Sequence, residues 1–157
     1  MWKRPWPARV AGAAVVGLAL LAARAPALAE DTVLADPPPS VDAPRKVVLT
    51  LTTDDPRKIN SVLYNAVNVQ KFYGMDHVQI AVVAWGPGVR ALLRAGSPVR
   101  PRIESLLQYD IEFVACGNTM TTMHWHDKDL IDGVAVTTAG IPEVIERRLR
   151  GWIDINP

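Results

Sequence analysis

The sequence predicts a single α/β domain, a mainly parallel sheet of about five strands flanked by helices. Three observations predict it. Short β-branched runs alternate with helical repeats along the chain, the arrangement that builds a parallel sheet covered by helices. The first of these runs, Val47-Val48-Leu49-Thr50-Leu51, is apolar apart from one threonine, as expected of a strand buried on both faces. The 157 residues are 49% apolar and 21% charged, a composition that supports one packed core and excludes a disordered chain.

In chain order, Lys3, Arg4 and Arg9 are followed by an apolar run over residues 10–23, and Ala27-Leu28-Ala29 offers small residues at a cleavage position before Glu30. This is the pattern of an export signal over residues 1–29. The run is shorter than the roughly 20 apolar residues of a membrane span, and Lys3-Arg4 is not a twin arginine. The expected mature protein is therefore periplasmic or secreted, with no stable span after cleavage. Residues 30–45 contain Pro37-Pro38-Pro39 and Pro44. They read as a tether, because proline removes amide donors and holds the backbone extended. The domain proper is expected over residues 46–157.

Within it, the strand at 47–51 leads to Asp55-Pro56, an N-cap followed by proline at the first helical position, and Ile59, Val62, Leu63, Ala66 and Val67 repeat with helical spacing up to Gly74. A second strand, Val78–Ala84, runs into the turn residues Gly86-Pro87-Gly88. Residues 89–95 and 101–108 read as short helices separated by Gly96-Ser97-Pro98, and 111–115 and 134–137 as the third and fourth strands. Pro142 opens the last helix, on which Ile141, Val144, Ile145 and Leu149 share a face, Gly151 closes it, and 152–155 is a terminal strand.

The net charge of +1 hides an asymmetry. Four of the 17 basic residues precede Glu30, leaving 13 against 16 acidic ones, net −3, over residues 30–157. Nothing in that balance suggests nucleic acid. Open α/β sheets bind ligands beyond the carboxyl ends of their strands, which selects three loops: Thr53-Asp54-Asp55, Trp85-Gly86-Pro87-Gly88 and Cys116-Gly117-Asn118-Thr119. The sequence lacks G-x-G-x-x-G, G-K-[ST], G-x-S-x-G, C-x-x-C and H-E-x-x-H. Hydride transfer with a nucleotide, P-loop hydrolysis and dithiol chemistry lose their usual signatures.

What remains is Cys116, the one cysteine, at a strand end directly before a helix start. Such a position stabilises a thiolate and lowers its pKa. A lone thiol in an exported chain forms no internal disulfide, so a reactive or intermolecular role stands beside the plainer reading of a small buried hydrophobe. Asn118 and the following amides are suited to holding an anion and Thr119 to adding a hydroxyl donor, though asparagine is equally at home in a turn or N-cap. Trp85 reads either as a pocket wall or as core. Asp54 and Asp55 are candidates for acid or base work, with capping the simpler account of Asp55.

The stretch Val114-Ala115-Cys116-Gly117-Asn118-Thr119-Met120, with Val83-Ala84-Trp85-Gly86-Pro87-Gly88 upstream and Ile141-Pro142-Glu143-Val144-Ile145-Glu146-Arg147 before Gly151-Trp152 downstream, resembles the DsrE/DsrF-like family. The resemblance spans the body from Lys46 to Pro157. It implies a five-stranded, mainly parallel sheet with flavodoxin-like layering and assembly as a homo-oligomer, a trimer or hexamer. It also implies sulfane sulfur carried as a persulfide on Cys116, exchanged with a sulfur donor or acceptor protein or a small sulfur species. Gly117, Asn118, Thr119, Trp85, Gly86 and Asp54 would line the site. No organic cofactor is implied, and the role is that of a carrier or binding module. The export signal departs from the cytoplasmic relay systems of the family.

A rival reading comes from Met120, Met123, His124 and His126, which follow Cys116 closely. Thiolate, thioether and imidazole are a soft set suited to Cu(I) in a periplasmic copper-binding protein. Two histidines two residues apart fall on different faces of a helix, however, and lack a matched second pair. A structural oligomer subunit with an inert Cys116 is the third reading.

Overall fold

Alternate residues of a strand point to opposite faces, and in this chain both sets are apolar. The computed structural model describes residues 31–157; the expected export signal at residues 1–29 lies outside the described residues. Five strands, β1 (Arg45–Leu51), β2 (Val78–Ala84), β3 (Ile111–Cys116), β4 (Ala135–Thr137) and β5 (Ile153–Ile155), form one sheet in the order β4-β3-β2-β1-β5. Every neighbouring pair is parallel. Four helices accompany them among the described residues: α1 (Pro56–Tyr73), α2 (Arg100–Leu107), α3 (Gly117–Thr122) and α4 (Gly140–Leu149).

The two faces are covered unequally. Val47, Leu49 and Leu51 of β1, Ile80 and Val82 of β2 and Ile111 and Phe113 of β3 belong to a large cluster with α1, α2 and the 3-10 segment Gly86–Leu92. Val48, Ala81, Val83 and Val114 form a smaller cluster on the opposite face, with Val144 of α4 and the rings of Trp85 and Trp152. Asp55 caps α1 as its sequence suggests, accepting from the Arg57 amide at 2.8 Å, and Gly74 ends it by donating to the Gln70 carbonyl at 2.9 Å.

Upstream of β1, the compact unit begins at Ala35. Arg45 Nη2 donates to the carbonyls of Ala35 and Pro37 at 2.7 and 2.8 Å, so part of the proline-rich stretch is tied to the first strand. Among the described residues no helix is long and apolar enough to cross a membrane.

Two expectations are corrected. The helix expected over 89–95 is instead a 3-10 segment that starts earlier, at Gly86. It is drawn tightly onto the end of β1: Trp85 donates its amide to the Leu51 carbonyl at 3.2 Å, and a Cβ on Gly88 would lie 2.0 Å from that same oxygen. After it, Leu93 bridges to Leu130 instead of continuing a helix. The second correction concerns the apolar face of α4. Only Val144 of the four residues is buried, whereas Ile141, Ile145 and Leu149 are exposed, because the side turned to the sheet is Gly140, Val144 and Arg147.

Arg147 is the polar centre of that contact. Its side chain is 9% exposed. Its Nη1 and Nη2 each donate to Glu112 of β3 at 2.8 Å, its Nε donates to Glu143 at 2.7 Å, and its guanidinium lies 4.6 Å from the Trp152 ring. Burial pushes its pKa down, but the two carboxylates outweigh it and hold the charge in place. Arg147→Ala leaves Glu112 and Glu143 without their cation. The variant should lose about 2 kcal/mol of stability, read as a lower urea midpoint at unchanged slope.

Candidate functional site

Parallel register brings the three sequence-selected loops together. Leu51 pairs with Ala84, and Ala84 with Ala115, so β1, β2 and β3 end at one level and their following residues lie side by side. Cys116 is the last residue of β3, pairs with Thr137 of β4 and occupies the N-cap position of α3. It is 5% exposed. The start of α4 closes over it at Gly140, where a Cβ would lie 3.3 Å from the Cys116 Cβ and 3.2 Å from Trp85. A larger residue there would push the helix off the cysteine.

Burial pushes the Cys116 thiol up, yet the net result is a thiol below its ordinary value. The Thr119 hydroxyl and amide supply most of the opposing effect, followed by the amides of Gly140 and Asn118. Asn118 contributes least, and its amide also donates to the Thr138 carbonyl at 3.0 Å. Thr119 is well placed because its Oγ1 accepts the Gly86 amide at 3.0 Å. With that lone pair engaged, the hydroxyl proton is free to face the sulfur.

Thr119 also joins the buried thiol to a cleft of about 450 Å³ whose walls include Asp54, Gly86, Arg90, Asn118, Thr119 and Trp125. Arg90 Nε stands 3.6 Å from Asp54 Oδ2, both side chains about half exposed, and its guanidinium lies 5.4 Å from the Trp125 ring. The cleft therefore offers one cation, one carboxylate, an aromatic wall and the polar groups of α3.

Of the residues selected from sequence, Asp54, Gly86, Asn118 and Thr119 meet at this cleft. Trp85 lies against Gly140 and packs between the two cores. Gly117 borders a separate groove on the other side of α3, together with Met120 and His126. The soft-ligand set is divided. Met120 is buried with Cys116 in the core, Met123 borders the cleft, and His124 and His126 are exposed beyond the end of α3. His126 donates its amide to Asp129 at 2.8 Å, a contact that holds the Asp129 carboxyl below its usual range. Among the described residues, no group of three or more His, Cys, Asp or Glu side chains is placed to hold a metal ion.

Arg90, Trp125 and Gly140 were not selected from sequence. Arg90 follows Gly88 by two residues, so extending that loop slightly would have captured it. Trp125 and Gly140 reach the site through tertiary packing, and neither carries a local signal.

These features define a small parallel α/β protein that holds one cysteine between the ends of its strands, near a cleft that carries a single charge pair. The chain belongs to the DsrE/DsrF-like family, whose profile matches residues 46–156, and that membership points to a role related to sulfur relay. Similar solved structures include the protein of unknown function MTH1491 from Methanobacterium thermoautotrophicum, 29% identical with a TM-score of 0.69, covering 72% of this chain and 99% of that one. The ychN protein from E. coli is 16% identical with a TM-score of 0.62 over 72% and 99% of the two chains. The protein of unknown function BT1422 from Bacteroides thetaiotaomicron is 22% identical with a TM-score of 0.57 over 71% and 94%. No curated protein matches the chain.

Thr119→Val removes the hydroxyl donor and raises the Cys116 pKa. Alkylation of the variant should require higher pH, and its rate at neutral pH should fall, followed by mass spectrometry across a pH series.

Proposed function

We propose that the protein is an exported sulfur carrier that holds sulfane sulfur as a persulfide on Cys116. The observation that carries this reading is a thiol that is buried yet held below its ordinary pKa by Thr119, Gly140 and Asn118. An inert core cysteine has its pKa raised by burial, whereas a carrier needs a thiolate at working pH. The thiolate attacks the outer sulfur of a donor persulfide. The donor S–S bond breaks, the donor thiolate leaves with the electron pair, and Cys116 retains the sulfur as its own persulfide. The reverse exchange, onto an acceptor thiol, empties the carrier. Family membership supports this chemistry, and the Lys3, Arg4, Arg9 cluster before the apolar run and Ala27-Leu28-Ala29 support action outside the cytoplasm.

Intact mass spectrometry after exposure to inorganic polysulfide tests the reading. The wild type should gain ~32 Da per sulfur atom, reversibly with reductant, on a chain that begins at Glu30, and Cys116→Ser should gain nothing. A Cys116 that takes up no sulfur, and is alkylated only after unfolding, would make it a packing residue.

The carrier also assembles as a homo-oligomer in this reading, through the outward face of α4. Ile141, Ile145 and Leu149 are 56%, 49% and 77% exposed, and Ile153 on the edge strand β5 is 55% exposed. Apolar side chains repeated on one helix face favour burial against a second copy. Light scattering of the full chain should report a trimer or hexamer, and Ile145→Glu with Leu149→Glu should shift it to monomer while the circular dichroism spectrum is retained.

A further inference from the structure

The cleft beyond Thr119 carries a charge pair and an apolar wall that an inorganic sulfur chain does not need. Its volume of about 450 Å³ lies in the range of sites for small organic molecules. Its charged groups come as a pair: the Arg90 guanidinium and the Asp54 carboxylate face each other at 3.6 Å, longer than a direct hydrogen bond, with both side chains about half exposed. An exposed pair of this kind gains little by staying closed, so a ligand that satisfies both charges opens it at small cost. A dianion such as thiosulfate would meet Arg90 but also the Asp54 carboxylate. A zwitterion meets both groups favourably. The Trp125 ring and Met123 supply the apolar wall against which a short carbon chain packs.

From this we infer that the cleft is a binding site for the amino-acid head of a low-molecular-weight persulfide, with Arg90 taking its carboxylate and Asp54 its ammonium. The inference rests on the carrier reading of Cys116 and names the donor class of that site. Thr119 and Asn118, which belong both to the cleft wall and to the surroundings of the cysteine, mark the direction in which the donor's sulfur points. In the transfer step the Cys116 thiolate attacks the terminal sulfur of the free amino-acid persulfide. A Cys116 persulfide forms, the donor S–S bond breaks, and the amino-acid thiolate departs with the electron pair and takes up a proton from water. No oxidant or reductant is consumed.

The test separates binding from transfer by using S-methylcysteine, which has the same head but no transferable sulfur, and titrating it into the full chain while following tryptophan fluorescence and, independently, heat. Saturable binding is expected. It should weaken about tenfold or more in Arg90→Gln and in Asp54→Asn, and to a similar degree when the ligand is methylthiopropanoate, which lacks the ammonium, or methylthioethylamine, which lacks the carboxylate. Arg100→Gln, on α2 and paired with Glu104 at 2.7 Å, serves as the charge-matched control and should bind as the wild type does. The two half-ligands probe the same pair of contacts in unaltered protein, so the result does not depend on the variants folding. Absence of saturable binding, or equal binding of S-methylcysteine and both half-ligands, overturns the inference. If that happens while polysulfide still loads Cys116, the carrier reading stands alone. If S-methylcysteine binds as expected but Cys116 accepts no sulfur from any donor, the cleft is an amino-acid site, and the carrier reading fails together with the assignment of a persulfide donor.

Discussion

The shared register of three parallel strands is the constraint on which the rest of the structure depends. Because Leu51, Ala84 and Ala115 lie in one row, the chain leaves β1, β2 and β3 at the same height, and three loops distant in sequence become neighbours. The Leu51 carbonyl accepts the Trp85 amide, and Gly88 passes so close to it that no side chain fits between. That contact fixes the second loop against the end of the first strand. The Gly86 amide then reaches Thr119 in the third loop. Slipping one strand by a residue would invert its faces and separate these groups together.

Cys116 sits where two opposing effects are balanced by construction. Its place at the edge of the large apolar cluster disfavours the thiolate, while donors from α3 and from the start of α4 favour it. Burial also limits access, so a sulfur delivered to this residue must come from a small species or from the end of a longer one. The cleft of about 450 Å³ lies on the far side of Thr119. The burial of the thiol and its lowered pKa thus arise from the same packing.

The second face of the sheet shows how a thin layer is made stable. Among the described residues α4 is the helix that covers it, with little apolar area turned inward, and Arg147 joins β3, α4 and the Trp152 ring in one charged network. The guanidinium is buried while Glu112 remains partly in solvent, and the network ties one side of the helix to β3. That orientation places Gly140 over Cys116 and sends Ile141, Ile145 and Leu149 outward. The helix that completes the site is therefore the same one that carries the exposed apolar face.

Most of the architecture was legible in the sequence because it follows from local rules. Alternating apolar runs, the Asp55 cap and the terminating glycines identify the parallel α/β fold, and the ends of its strands identify the loops that hold Asp54, Gly86 and Cys116. Periodicity misread α4, since it shows which residues share a face but not which way that face is turned, and the orientation was decided by Arg147 and Glu112, 35 residues apart. It also read 89–95 as a helix, because the pull of the Leu51 carbonyl on the loop is a contact between different strands. The identity of the candidate thiol belonged to the sequence, which has only one cysteine. Its electrostatics and its neighbours Arg90, Trp125 and Gly140 belonged to the tertiary structure, because donors and charges act through distance in space, which spacing along the chain does not record.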